Sequence, residues 1–452
     1  MSNGGRSLIC DRLRPVLCQQ ETNQGMDKMA RLPIFMLAAS ALAFAACSPK
    51  AEVAAPAQPA APVFADEWYM FSVQPNGNSP IGLNIHETKF GPQGRIWQSG
   101  KMYPIRNAVI SADAMSFFVP GLDISWSAKP AESGNWKGGW TTVDGDKPAV
   151  MGFTNPPDLE GKTFITLADG RQMLLDCRGS GSPAVIFDAG AGSSSVAWSA
   201  VLDEVGKTTL ACAYDRAGHG LSDPRALPLD AAAVADDIDA LISAAGIATP
   251  VVIVGHSLGS YHVRQFANTR FDKTAGMVLV DPSGDGQGAL FAKAVPKLYA
   301  IQEKVINQYK ELNCANLMRD KLLLHSDPMF EKCGGSNDAV LMEFTQSEID
   351  AMTGASLEQL TESRRSYGDM PLIVLTRGDY RKDMPPELTA ADLDAMKTVW
   401  VGLHKDMAAL STAGELREVA GAGHSIQRDK PQGVIDAVNE VVAKARERAS
   451  KP

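Results

Sequence analysis

Outside its N-terminal segment the 452-residue chain has no run of about eighteen apolar residues, which excludes an internal membrane-spanning helix. It contains no H-E-x-x-H, and its seven histidines and seven cysteines show no zinc-ligand spacing, so neither a metal centre nor any other cofactor is expected. No long basic cluster exists, and a formal net charge of −9 argues against nucleic acid as a partner. No internal repeat is present. What remains is an ordinary globular composition, 45% hydrophobic and 21% charged, in a chain long enough for two or three structural units.

The first segment reads as an address. Lys28 and Arg31 precede the apolar run Leu32–Ala46, which ends in small residues before Cys47. A basic region, a short apolar region and small residues ahead of a cut form the secretory pattern. The Phe44-Ala-Ala-Cys47 end resembles a bacterial lipoprotein lipobox, which implies cleavage before Cys47 and acylation of that residue. Ser48 after it implies the outer membrane. Residues 1–47 are thus expected to be an upstream extension and signal, with Met26 or Met29 the true start, on a chain exported to the periplasm of a Gram-negative-type bacterium. Residues 48–65, rich in Ala and Pro with few large side chains, cannot bury enough apolar surface to fold and are expected to form a tether. Export also implies an oxidising compartment, where Cys177, Cys212, Cys314 and Cys333 could form two bridges.

Residues 66–158 carry five of the seven tryptophans, in short period-two runs broken by Gly, Pro, Asn and Asp, which predicts a small antiparallel sheet, sandwich or barrel. Its tryptophans are expected in the core and His86 on an exposed strand face. No chemistry is expected there. Residues 159–452 change rhythm. Eight apolar strand candidates, from TFITLAD to ELREVAGAG, alternate with amphipathic helical patterns such as DAAAVADDIDALISAAG, which predicts a mostly parallel sheet covered on both faces. Residues 284–369 interrupt that alternation with helical patterns alone, as a cap insertion would.

The chemistry centres on VVIVGHSLGSYHVRQFA, Val251 to Ala267. With 40 glycines in the chain, G-x-S-x-G alone is a weak signal. Here, however, an apolar strand leads into it and a helix follows, so Ser257 would sit on a strained turn at a helix N-terminus, where developing negative charge is favoured. On these residues, and on YDRAGHGLSD at Tyr214–Asp223, the region from about 161 onward resembles the α/β-hydrolase family, with Ser257 at its nucleophile elbow.

The resemblance implies an eight-stranded α/β-hydrolase fold with a helical cap, preceded here by the small antiparallel domain. It implies His424, in the loop after the last strand, as the base that a neutral serine hydroxyl requires. The acid is placed at Asp379, after PLIVLTRG, or at Asp281, after MVLV, with Asp379 favoured and Asp383 a weaker choice. Backbone N–H groups of Leu258 and Ala191 would hold an oxyanion. The family strand order makes the strands of Cys177 and Cys212 neighbours and so implies a Cys177–Cys212 bridge, leaving Cys314–Cys333 as its complement. The activity implied is hydrolysis of a small-molecule ester or related acyl substrate. C–C, lactone or amide cleavage and haloperoxidase-like chemistry are alternatives on the same triad. A surface binding lipoprotein is the alternative of another class.

Overall fold

In the computed structural model the described residues are 68–73, 81–98, 101–130 except 112, 136–142, 145–154, 161–304 except 302, and 338–451. The expected signal and lipobox (1–47), including Cys47, the tether (48–65) and the Cys314–Cys333 bridge lie outside them.

The N-terminal tryptophan-rich segment forms nine antiparallel strands: β1 (Trp68–Val73), β2 (Ile81–Thr88), β3 (Gly91–Gln98), β4 (Lys101–Pro104), β5 (Arg106–Ile110), β6 (Met115–Val119), β7 (Ile124–Pro130), β8 (Trp136–Thr142) and β9 (Gly145–Thr154). Their order across the sheet is β4-β3-β2-β1-β9-β8-β7-β6-β5. The two ends of that order are joined by one residue, Ile105, whose N–H donates to the Gly94 carbonyl, so the sheet curls back on itself. Period-two alternation sorts the side chains. Leu83, Ile85, Met115, Phe117, Val119, Trp126 and Trp140 fill the interior, with the Trp126 and Trp140 rings 4.9 Å apart. The residues between them face outward, and here the sequence reading needs correcting. His86 is not exposed. It is 5% accessible, and its Nε2 lies against the Asp223 carboxylate of the following domain. A period-two pattern shows which residues share a face but not whether a second domain covers it.

The second sheet has eight strands: β10 (Lys162–Thr166), β11 (Gln172–Arg178), β12 (Val185–Asp188), β13 (Ala211–Tyr214), β14 (Val251–His256), β15 (Thr274–Val280), β16 (Leu372–Arg377) and β17 (Gly414–Val419). They lie in the order β10-β11-β13-β12-β14-β15-β16-β17; β10, β11 and β13 pair antiparallel and every later pairing is parallel. Strands buried on both faces read as near-continuous apolar runs. Accordingly Ile186, Ile253, Leu279 and Val374 point to one face, and Val185, Phe187, Val252, Val254, Val280 and Leu375 to the other.

The fold also contains helices α1 (Ser199–Val205), α2 (Ala231–Ala244), α3 (Gly259–Thr269), α4 (Gln287–Ala294), α5 (Ala339–Met352), α6 (Ala355–Glu362), α7 (Ala390–Ala408), α8 (Ile426–Asp429) and α9 (Pro431–Ala449). Val234, Ile238, Leu241 and Ile242 of α2, with Val263 and Phe266 of α3, cover the first face. Val434, Val438, Val441 and Val442 of α9 cover the second. Each such side chain, fully buried, contributes about 1.5–3 kcal/mol. Asp230 caps α2 by accepting from Ala233 N–H, and Pro431 opens α9, where its missing N–H costs nothing. Between β15 and β16 the described residues are helices and connecting turns, without a strand.

Cys177 on β11 stands directly opposite Cys212 on β13, with Cα atoms 4.1 Å apart, and the two form the disulfide that the strand order implied. Among the described residues no helix is long and apolar enough to cross a membrane, and no group of three or more His, Cys, Asp or Glu could hold a metal ion.

Candidate active site

The site forms at the C-terminal ends of the parallel strands, where loops are free to converge. Ser257 follows β14 and precedes α3 with φ of 50°, a left-handed conformation that costs a non-glycine residue energy. The flanking glycines show why the turn can close. A Cβ on Gly259 would lie 2.6 Å from the Ala189 carbonyl oxygen, and one on Gly255 would lie 2.7 Å from the Gly259 carbonyl oxygen. The Ser257 N–H donates to Val280 O, and its carbonyl accepts from Ser260 and Ser283, so both neighbouring segments pin the turn.

His424 lies in the connection between β17 and α8. Its Nε2 is 2.9 Å from Ser257 Oγ and its Nδ1 is 2.6 Å from Asp281 Oδ2. With the proton on Nδ1 donated to Asp281, Nε2 is left to accept from the serine hydroxyl. The ring is partly open to solvent while Asp281 is fully buried. The loop is fixed from behind: Gly423 N–H donates to Asp429, and His424 O accepts from His256 Nε2 at 3.0 Å.

Asp281 follows β15 with φ of 42°, a second left-handed residue at the site. Its carboxylate accepts from Arg377 N–H (3.0 Å), Arg377 Nε (2.7 Å) and Trp400 Nε1 (2.9 Å) as well as from His424. Burial alone would raise its pKa. The His424 hydrogen bond and the Arg377 charge outweigh burial and hold the carboxyl well below the usual range. The favoured position, Asp379, is therefore corrected. Its Oδ1 instead accepts the N–H groups of Arg381 and Lys382, closing its own turn away from His424. Asp383 is exposed on the same turn, with φ of 65°.

Ala191 lies in the turn after β12, and Leu258 is the residue after the serine; among the described residues neither N–H finds an acceptor. Gly190, beside Ala191, packs so close to the elbow that an added Cβ would meet His256 Nδ1 at 2.9 Å.

Several residues around the site escaped the sequence reading. Arg377 closes the apolar strand LIVLTR, and a charge ending such a strand is a signal that was there to be used. Trp400 carried no local signal, because it reaches Asp281 across 119 residues of sequence.

Two buried rings bear on acid stability. Burial, then the neighbouring His424, pushes His256 down to about 3, and burial pushes His404 down to about 4. Both are therefore neutral in the fold. Once unfolded, each takes up a proton near its ordinary 6.5, so below that pH the unfolded chain binds more protons. Stability should be full above pH 6.5 and fall on acidification toward pH 4, by up to about 1.4 kcal/mol per pH unit for each ring. Thermal melts across that window test it. A pH-independent Tm would contradict the burial of these neutral rings.

The alpha/beta hydrolase family model matches residues 185–437. An uncharacterised protein of Bacillus subtilis, YqjL, is 24% identical over 274 residues, covering 60% of this chain and 88% of that one. An AB hydrolase superfamily protein of Gibberella zeae is 21% identical over 308 residues, covering 62% and 94%. Among solved structures, a thermophilic esterase from Thermogutta terrifontis aligns with a TM-score of 0.43 at 19% identity, over 63% of this chain and 98% of that one.

Proposed function

Because the chain belongs to the α/β-hydrolase family, we propose that it is a serine hydrolase acting on a small-molecule ester or related acyl bond, with carboxylesterase activity its simplest form. The observation that carries this reading is the unbroken line Asp281–His424–Ser257, at 2.6 and 2.9 Å, on a serine held in a left-handed turn. In the proposed reaction Ser257 Oγ attacks the acyl carbon while His424 Nε2 takes its proton. Asp281 keeps Nδ1–H oriented and stabilises the imidazolium without taking the proton. The Leu258 and Ala191 N–H groups receive the carbonyl oxygen as it gains charge. The tetrahedral species collapses, and His424 returns the proton to the departing alcohol. Water, activated by His424, then releases the acid from the acyl-enzyme.

Ser rather than Asp at the elbow favours an acyl-enzyme over the alkyl-enzyme that epoxide or haloalkane opening would need. The test is labelling by an alkyl fluorophosphonate, followed by a panel of acyl esters, amides and lactones. An unlabelled Ser257 peptide would end the hydrolase reading, and the panel assigns the bond.

We infer further that the chain is exported to the periplasm and tethered through a lipid on Cys47. The Cys177–Cys212 disulfide supports an oxidising compartment. Radiolabelled fatty acid should enter the wild-type chain but not a Cys47→Ser variant, which should leave the membrane fraction. Cys177 and Cys212 should resist alkylation in both. A Cys47→Ser chain still on the membrane would overturn the anchor.

A further inference from the structure

Among the described residues the antiparallel domain contributes no side chain to the Ser257 line, yet three of its cationic or titratable groups are buried against the hydrolase domain. Arg95 on β3, 1% accessible, donates through Nη2 to Asp223 (3.0 Å), through Nε to Leu221 O (2.8 Å) and through Nη1 to Gln172 Oε1 (2.8 Å). His86 shares the same Asp223 carboxylate. Asp223 lies in the loop between β13 and α2, and the same loop carries Arg216. Arg106 on β5 reaches elsewhere. Its Nε donates to both oxygens of Asp338, at 3.0 and 3.1 Å. Asp338 in turn caps helix α5 by accepting from Val340 and Leu341 N–H.

The two grips converge. Helix α5 buries Glu348, whose Oε1 accepts from Arg216 Nε at 2.6 Å. The other nitrogens of Arg216 donate to Asp188 Oδ1, to Ala189 O and to Gly190 O, each at 2.7 Å. These last two carbonyls immediately precede Ala191, so the guanidinium sets the plane of the peptides that aim the Ala191 N–H. Two more residues of α5 pack on this region. Phe344 fills the space above Gly218, and Thr345 lies within 3.2 Å of where a Gly192 Cβ would be. A buried ion pair is strong evidence of fixed geometry here, because neither partner can leave the other without exposing an uncompensated charge to the interior.

We propose that the antiparallel domain is a built-in clamp. It holds the start of helix α5 through Arg106–Asp338 and the Arg216 loop through Arg95 and His86 on Asp223. By doing so it keeps the Glu348–Arg216 pair closed on the Ala189–Gly192 turn. Arg216 and Glu348 are then positioning residues for the oxyanion donor, and Arg106 acts on the donor through them. The inference rests on the hydrolase reading for its catalytic consequence, but its mechanical part stands apart from that reading.

Two disrupting variants of the full chain and one rescue variant test it. Asp338→Asn keeps a residue able to cap α5 but removes the charge that Arg106 holds. Arg106→Met removes the other half, and Arg106→Lys should restore part of the effect. In both single variants hydrogen exchange should quicken in residues 339–352 and in residues 185–198. Ester turnover should fall on the order of tenfold in kcat, with KM within about threefold, because removing a whole oxyanion donor costs about 10²–10³. A merely stabilising contact would lower Tm and leave kcat unchanged well below the melt. Folded Asp338→Asn protein with wild-type kcat overturns the proposal, whatever its exchange. If the wild-type chain neither labels nor hydrolyses, the hydrolase reading has failed on its own. Exchange then decides: quickening in both segments supports the clamp, while quickening in neither, or in one alone, overturns it.

Discussion

Replacing Ser257 with Ala is expected to abolish labelling by an alkyl fluorophosphonate and to lower kcat on acyl esters by about 10⁶-fold, the loss seen when a nucleophile is removed from such a line of residues. A small residue of catalysis over water should survive, because the Leu258 and Ala191 donors and the substrate site do not depend on the hydroxyl. The fold should survive too. Among the described residues the hydroxyl's recorded partner is His424 Nε2, and a β-carbon already occupies the left-handed turn, so Ala adds no steric demand. A Tm near wild type with activity lost is therefore the expected pair of results. Full labelling of the Ser257→Ala protein would place the nucleophile elsewhere and overturn the reading.

This expectation could be formed early because the elbow is a local object. The residues that create it, VVIV ahead, Gly255 and Gly259 around and a helix behind, are contiguous, and their constraints are steric. His424 was legible for a related reason: it follows the last strand and precedes a helix, so its place in chain order fixes its place in space. The fold was legible because strands buried on both faces are near-continuous apolar runs, as Val251–Val254 of β14 and Met277–Val280 of β15 are.

The missed features share a different character. Both candidate acids follow a parallel strand at the same edge of the sheet, so position alone could not separate them. What separates them is the direction of one side chain. Asp281 turns through a left-handed φ toward His424, whereas Asp379 spends its carboxylate on the N–H groups of Arg381 and Lys382. Glu348 and His86 were invisible for want of any local signal. Each looks like a polar residue on an amphipathic element, and each is buried by a partner more than 130 residues away.

The acid assignment gives the second large effect. Asp281→Asn should lower kcat by about 10⁴-fold near neutral pH, while Asp379→Asn should stay within about threefold of wild type. An asparagine at 281 can present its NH₂ to His424 Nδ1, which favours the proton on Nε2 and leaves no lone pair to take the serine proton. Arg377 reinforces that error. Its Nη2 lies 2.8 Å from His424 Nδ1 and 2.6 Å from Asp281 Oδ2, so with the carboxylate gone the guanidinium also donates toward an unprotonated Nδ1. KM should change little, because Asp281 is fully buried and is not positioned to touch substrate. Removing the carboxylate also leaves Arg377 buried without its counter-charge, a loss of about 3–5 kcal/mol when one member of a buried pair is deleted. The kinetic comparison therefore belongs well below the melting temperature of the variant, with its fold checked by circular dichroism. Asp379→Asn supplies the control: it loses charge in a partly exposed turn and should melt within about 1 kcal/mol of wild type. Activity lost in Asp379→Asn and kept in Asp281→Asn would return the acid to the loop after β16, and the hydrogen bond from His424 Nδ1 to Asp281 would then carry no catalytic weight.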